Sequence, residues 1–437
     1  MKIRLVMFAG ILILGMFYCQ KNKQNSERRV PKGNVIFIHP DGGGIASWAA
    51  LRVLEKGPDG MLNWDCLSHL GIYRGHLKDA LSSSSNGAAT VHAYGVKVPY
   101  HSYGTYAQEK LVSLAGTDKS VMQEARDAGM AVAVINTGHL CEPGTGAQLA
   151  SHPNRKDTDI ISLQIIQSGA DVILSGGETL LLPAGVVGRH GEPGVRKDGR
   201  NLIQHAMDSG YQVIYNRDEL QALSPQTEKV LGVFAAGHTF NDETEEYLKK
   251  ESIPLYAESA PTAAEMLAST LRILEHKKKP FLVVLEEEGS DNFANENNAR
   301  GMLEALRRAD LALGVALEFI EAHPQTLLLT TADSDAGGMH IIGIRDPEKF
   351  EEPLPEISEN GSPLDGREGT GTPSFMAAPD QFGNQLRFGI CWASKSDLGG
   401  GVVTRAHGLN ADLLPQSVDN TDIYRMMYAT LFGKWLP

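Results

Sequence analysis

Val35-Ile-Phe-Ile-His-Pro-Asp41-Gly-Gly-Gly44 joins an apolar run to an acid and then to three glycines. A short run of this kind, with no polar alternation, reads as a strand buried on both faces, the habit of parallel sheets. The same order recurs twice. Phe281-Leu-Val-Val-Leu285 runs into Glu286, with Asp291 five residues on, and Leu327-Leu-Leu-Thr-Thr-Ala332 runs into Asp333. In open α/β sheets ligands sit beyond the carboxyl ends of the strands. Four carboxylates gathered there need compensation, because burying an unpaired charge is costly. Divalent cations would supply it, so the strand ends point to a metal-assisted hydrolase.

Outward from these runs, strands and helices alternate. A helix is expected through Trp48, Leu51 and Leu54, and another at Val121 to Ala128. Strands are expected at Met130 to Ile135, Ala170 to Leu174, Tyr211 to Tyr215 and Val230 to Phe234. Helices at Ala263 to Leu274 and Ala299 to Ile320 lead into the second and third acidic strands. The expected fold class is α/β, a mostly parallel central sheet with helices on both faces. No repeat or clean linker interrupts residues 33–437, which read as one domain. Within it, 346–401 is rich in Pro, Glu, Gly and Ser, with a short strand at Leu386 to Trp392. It reads as an inserted loop region, and loops of that length are usually functional.

Composition narrows the partners. The chain has 437 residues, 42% of them apolar, and a net charge of -13. A nucleic-acid partner would need a basic face, and no basic stripe is present. Lys277-Lys278-Lys279 reads as a solvated helix end. At the start, Lys2 and Arg4 precede an apolar stretch from Leu5 to Tyr18, so residues 1–18 read as a signal peptide. Cys19 follows at the acceptor position of a bacterial lipoprotein, although Met16-Phe17-Tyr18 is bulkier than that motif usually allows. Residues 19–32 read as a polar tether. The protein is thus expected to be exported, periplasmic or held to a membrane only through lipid on Cys19. Cys66, Cys141 and Cys391 form no CxxC and are expected as free thiols with at most one disulfide.

Ser84-Ser85-Asn86-Gly87-Ala88-Ala89-Thr90 is the second informative stretch. It places a serine at a helix N-terminus, whose free N–H groups and positive dipole end suit a phosphate. Alone it would be an ordinary serine cap.

Together these residues resemble the alkaline phosphatase family over nearly the whole chain beyond the tether. Asp41-Gly-Gly-Gly44 is similar to the family's Asp-Gly-x-Gly. Ser85 to Thr90, continuing to Gly95-Val96-Lys97, resembles its nucleophile motif. Gly144-Thr145 with His152 and Asn154-Arg155 resembles the segment bearing a magnesium-ligating threonine and the phosphate-binding arginine, one residue short in spacing. Asp171 to Gly177 and Leu181 to Pro183 resemble a structural stretch. The resemblance implies phosphate monoesters as substrates and Ser85 as nucleophile, with Arg155 holding the phosphate. It implies Asp41 and Asp333 at one metal, Asp291, Asn295 and Asp412 at a second, and Asp41, Thr145 and Glu286 at a third. The family is often dimeric.

The departures are as informative. Where the family usually has zinc histidines, this chain reads Asn295, Ser334 and Asp412, and Ser84 stands where an aspartate usually precedes the nucleophile. Zinc is implied by the resemblance, but the oxygen-bearing replacements favour a harder ion such as Mg2+, Ca2+ or Mn2+. His340 and His407 are candidates for substitute ligands, or plain surface histidines. Glu287 and Glu288 are expected to be exposed. A sulfatase would need Cys/Ser-x-Pro-x-Arg, and Cys141-Glu-Pro-Gly-Thr145 ends in the wrong residue. A phosphodiesterase or other phosphoryl-transfer relative remains a rival, as does an inactivated metal- or anion-binding lipoprotein on the same fold.

Overall fold

The structure is a computed structural model and describes residues 28–437. The expected signal peptide, Cys19 and most of the tether lie outside the described residues. Arg28–Arg29, from the end of that tether, pair antiparallel with Lys434–Trp435. No helix among the described residues is long and apolar enough to cross a membrane. Cys66, Cys141 and Cys391 are free thiols.

The central sheet has ten strands: β1 (Asn34–Pro40), β2 (His69–Arg74), β3 (Ala131–His139), β4 (Val172–Gly176), β5 (Gln212–Ile214), β6 (Val230–Val233), β7 (Phe281–Glu287), β8 (Thr326–Thr330), β9 (Val403–Gly408) and β10 (Ser417–Asp419). Their order is β10-β2-β9-β8-β1-β7-β3-β4-β6-β5. Only β9 runs antiparallel to its neighbours. The acidic runs form the adjacent central trio β8, β1 and β7, buried along their length.

Helices that bear on the site are α1 (Ile45–Lys56), α2 (Ser85–Tyr94), α3 (Pro143–Leu149), α4 (Ala263–Lys277), α5 (Gly289–Asn295), α6 (Ala299–Ala322) and α7 (Asn420–Phe432). The two-residue period of a strand divides β1 between two cores. Ile36 and Ile38 pack with Trp48, Leu271 and Leu306 of α1, α4 and α6. Val35 and Phe37 pack with Ile423, Met426 and Met427 of α7. Each such side chain, fully buried, contributes about 2 kcal/mol of transfer free energy. Helices therefore cover both faces, as expected.

Residues 340–391 are more ordered than an inserted loop. His340–Ile344, Arg387–Cys391, Leu364–Gly366 and Gly369–Thr370 make a small antiparallel sheet, with Phe375–Met376 beside it. Its base is fixed by Trp392, whose indole N–H donates to Asp365 at 2.6 Å. The return leg of this excursion matters most. Asp397–Leu398 pairs antiparallel with Asp335–Ala336, directly after the third acidic strand end.

Candidate active site

The sheet register assembles the centre. His39 of β1 lies level with Glu286 of β7, and Glu286 lies level with Asn136 of β3. Asp41 follows β1 by one residue, while Asp333 follows the end of β8 by three. Asp291 and Asn295 sit four residues apart on α5, hence on one helix face. Asn295 donates to Asp291 Oδ2 at 2.8 Å. The structure thus brings Asp41, Glu286, Asp291, Asn295, Asp333 and Ser334 to one end of the sheet.

Asp412 does not join them. It is exposed, on a short turn after β9. Because β9 is antiparallel, its last residue, Gly408, pairs with Leu327 near the start of β8. Asp412 therefore sits at the amino ends of the strands, opposite the acidic cluster. The place expected for it is taken by Asp397, whose carboxyl faces Asp291, Asn295 and Ser334. Sequence reasoning missed Asp397 because it lies in a Gly- and Ser-rich segment with no periodicity. The available signal was its position beside Gly399-Gly400-Gly401; an added Cβ on Gly401 would meet Asp335 Oδ2 at 2.6 Å.

The electrostatics are those of a cation cradle. Asp41 and Asp333 face each other, as do Asp291 and Asp397. Burial, then the Asp41 charge, holds Asp333 well above the usual carboxylate range. Burial, then Asp397, does the same to Asp291. Burial, then Asp41, pushes Glu286 up to about 8. Asp41 Oδ2, Asp291 Oδ1, both Asp333 oxygens, Glu286 Oε1, Asn295 Oδ1, Ser334 Oγ and Asp397 Oδ1 are buried without hydrogen-bond partners. Unpaired buried oxygens are expensive, and this many in one place fit divalent ions held by oxygen ligands.

Glu287 and Glu288 are buried rather than exposed. Glu287 accepts from Thr137 and Tyr256, each at 2.9 Å. Glu288 groups with Asp41 and Asp291 as a possible cation cluster.

Thr145 touches the site by a different atom from the one expected. Its backbone N–H donates to Glu286 Oε2 at 3.1 Å, while its hydroxyl accepts from the Asn136 amide at 2.7 Å. The same amide bonds Glu286. Glu286 also groups with Asp41 and His39. His39 Nε2 lies 3.3 Å from Asp41 Oδ1, and its Nδ1 is 2.8 Å from the Thr331 carbonyl. Burial opposes charge on His39, but the Asp41 carboxylate outweighs it and raises the pKa. This imidazole was read only as a strand residue. His407 and His340 stay apart: His407 pairs with Leu328 partway along β8, and His340 is exposed on the small sheet.

Ser85 is the first residue of α2. Ser84 caps that helix, accepting from Gly87 N at 3.2 Å and donating to the Tyr100 carbonyl at 2.6 Å. Ser85, Asn86, His101, Arg155, Lys156 and Asp397 line one cleft of about 580 Å³. Arg155 Nη2 rests 3.2 Å from Glu142 Oε2. Serine, arginine and helix N-terminus thus face a space that reaches Asp397, which in turn faces Asp291.

A family model described as Alkaline phosphatase matches residues 32–361. The chain is 25% identical to alkaline phosphatase 4 of Bacillus subtilis over 397 residues, covering 86% of this chain and 76% of that protein. It is 26% identical to the membrane-bound alkaline phosphatase of Bombyx mori over 72% of this chain, and spans 64% of that relative's length. Among solved structures, the fold is similar to Thermus thermophilus alkaline phosphatase, with TM-score 0.72, 19% identity, and 95% and 96% of the two chains covered. It is also similar to the alkaline phosphatase of the Antarctic bacterium TAB5, with TM-score 0.68, 15% identity, and 92% and 98% covered. With the family model spanning most of its length, the chain belongs to the alkaline phosphatase family.

Proposed function

We propose that this chain is a metal-dependent phosphomonoester hydrolase that works through a phosphoserine at Ser85. One observation carries the reading: a serine at the start of a ten-residue helix shares a cleft with Arg155 and Asp397, beside a nest of unpaired buried carboxylates.

In this reading Ser85 Oγ attacks the phosphorus in line, and the leaving alcohol departs on the far side. Arg155 holds two non-bridging oxygens with its fork of N–H groups, which a lysine could not do in the same geometry. The N-terminus of α2 adds partial positive charge to the transferring group. Water then hydrolyses phosphoserine 85 and frees phosphate. Asp41, Asp333 and Ser334 would hold one ion, Asp291, Asn295 and Asp397 a second, and His39, Asp41 and Glu286 a third. When bound, such ions make a serine hydroxyl nucleophilic near neutral pH and offset charge on the attacking and leaving oxygens. The oxygen-dominated donors of the first two places favour Mg2+, Ca2+ or Mn2+ over zinc. Lys2 and Arg4 ahead of the apolar stretch Leu5 to Tyr18, with Cys19 after it, support an exported, lipid-anchored form.

Protein stripped of metal and reloaded with single ions should hydrolyse a nitrophenyl monoester faster than the diester. Ser85→Ala should reduce both to background. A faster diester rate would favour a phosphodiesterase, and no turnover with any ion would favour a binding protein.

A further inference from the structure

In contact with Arg155 lies a second ligand set that the proposed reaction does not use. His139 ends β3, Glu142 immediately precedes α3, and His238 stands on the loop after β6. Both imidazoles aim Nε2 at the same carboxylate oxygen. His139 Nε2 is 2.9 Å and His238 Nε2 3.6 Å from Glu142 Oε1. The ring centroids are 4.8 Å apart. The other carboxylate oxygen, Oε2, faces Arg155 at 3.2 Å.

The scaffold around this set is stiff. Thr239 donates its N–H and its hydroxyl to the Thr137 carbonyl at 3.0 and 2.6 Å, pinning the His238 loop to β3. The loop also passes so close to Gly176 that an added Cβ there would meet the Gly237 carbonyl at 2.1 Å. His238 packs against Phe240, with centroids 4.9 Å apart.

Hydrogen bonding leaves this cluster incomplete. Nδ1 of both rings is buried without a partner, as is Glu288 Oε2. Glu288 is 4% exposed and flanks the same glycine as Glu142: an added Cβ on Gly138 would lie 2.9 Å from Glu142 Cγ and 3.0 Å from Glu288 Cγ. Two buried carboxylates side by side repel, and Arg155 meets only the Oε2 side of Glu142. The His139 and His238 side chains keep 24% and 22% exposure, which leaves an entry path.

We propose that His139, Glu142 and His238 form a separate divalent metal site for a borderline ion of the zinc class, with Glu288 as its neighbouring acid. Two imidazoles and one carboxylate suit such an ion, whereas the oxygen-dominated cluster suits harder ones. The ion would take Glu142 Oε1 and leave Oε2 on Arg155, so its occupancy would fix the direction of the guanidinium.

The test counts metal and does not depend on turnover, so it stands apart from the phosphatase reading. Metal-free protein is loaded with Zn2+ for stoichiometry and with Cu2+ for electron paramagnetic resonance. The same is done for His139→Gln, His238→Gln and the double variant Asp291→Asn with Asp333→Asn. The expected result is one zinc fewer per chain in each histidine variant, with loss of the two-nitrogen hyperfine pattern from copper, while coupling from a copper at His39 stays. The carboxylate double variant should keep the zinc lost from the histidine variants and the two-nitrogen pattern. Melting temperatures of the metal-free variants identify any that fails to fold, and the other histidine variant then decides. Unchanged zinc count and unchanged nitrogen coupling in a folded histidine variant would overturn the proposal.

Discussion

Two aspartates fifteen residues apart have opposite fates because a strand runs between them. Asp397 enters the cluster before β9 and Asp412 leaves at the far end of the sheet after it. Asp397→Ala should therefore lower kcat/KM by about 100-fold or more, since it removes a group facing the proposed ion directly rather than one behind it. Asp412→Ala should leave kcat/KM unchanged within error, measured on the same monoester. The acids also predict a proton count. With Glu286 pushed up to about 8 and Asp333 and Asp291 also raised, the metal-free centre carries protons near neutral pH. Cation binding must displace them. Calorimetry at about pH 7 in buffers of different ionisation enthalpy should show proton release, and the Glu286 share should shrink above about pH 8. Identical heats in all buffers would contradict protonated carboxyls. Asp41, Glu286, Asp291 and Asp333 were legible because each follows or closely trails a buried strand. His39 was not, because a residue within an apolar strand carries no mark that separates a cluster member from a packed ring. Thr145 bonds Glu286 through its backbone N–H, and spacing along a chain does not say whether the hydroxyl or the backbone N–H will face an acid.

At the scale of elements, close approach replaces chemistry as the constraint. α3 runs so near β7 that an added Cβ on Gly144 would lie 1.8 Å from Glu286 Oε1. Gly144→Ala must displace Glu286 and should cost about 1–3 kcal/mol, as overpacking does. Denaturant unfolding reads this cost, and metal content should fall with it. A second element holds an unusual acid. Glu245 opens the helix Glu245–Glu251 and accepts from Arg300 N at 3.0 Å. Burial, then the charge of Asp365, pushes it up to about 8. Its carboxyl stays protonated in the fold up to about 8, while the unfolded chain releases that proton near 4.5. The folded state holds the extra proton between those values, so stability falls as pH rises through them. Glu245→Gln should gain melting temperature relative to the unmutated protein as pH goes from about 5 to about 9. A constant difference would contradict a raised pKa. The strands β1, β3, β4, β5, β6, β7 and β8 and the helices α1, α4 and α6 were legible from apolar runs and helical period, whereas β10 and α7 were not. β2 and β9 were not: they lie on the edge side of the acidic trio, and each alternates buried with more exposed positions over six residues.

For the whole molecule, the excursion between β8 and β9 is what completes the centre. Its small sheet anchors at Asp365 and Trp392, and its return leg carries Asp397 to Ser334. Residues far apart in sequence thus meet only in the finished fold, and ions binding that fold should stabilise it by mass action. Chelation should lower the melting temperature, and adding back Mg2+ or Mn2+ should raise it in proportion to the logarithm of free ion. The central claim is that Ser85 itself carries the phosphoryl group. The direct measurement is mass spectrometry of protein quenched in acid during turnover of a phosphate monoester. The account predicts a phosphorylated peptide at Ser85 that is absent from Ser85→Ala, together with loss of turnover. Full turnover in Ser85→Ala, with no phosphopeptide in either protein, would contradict it.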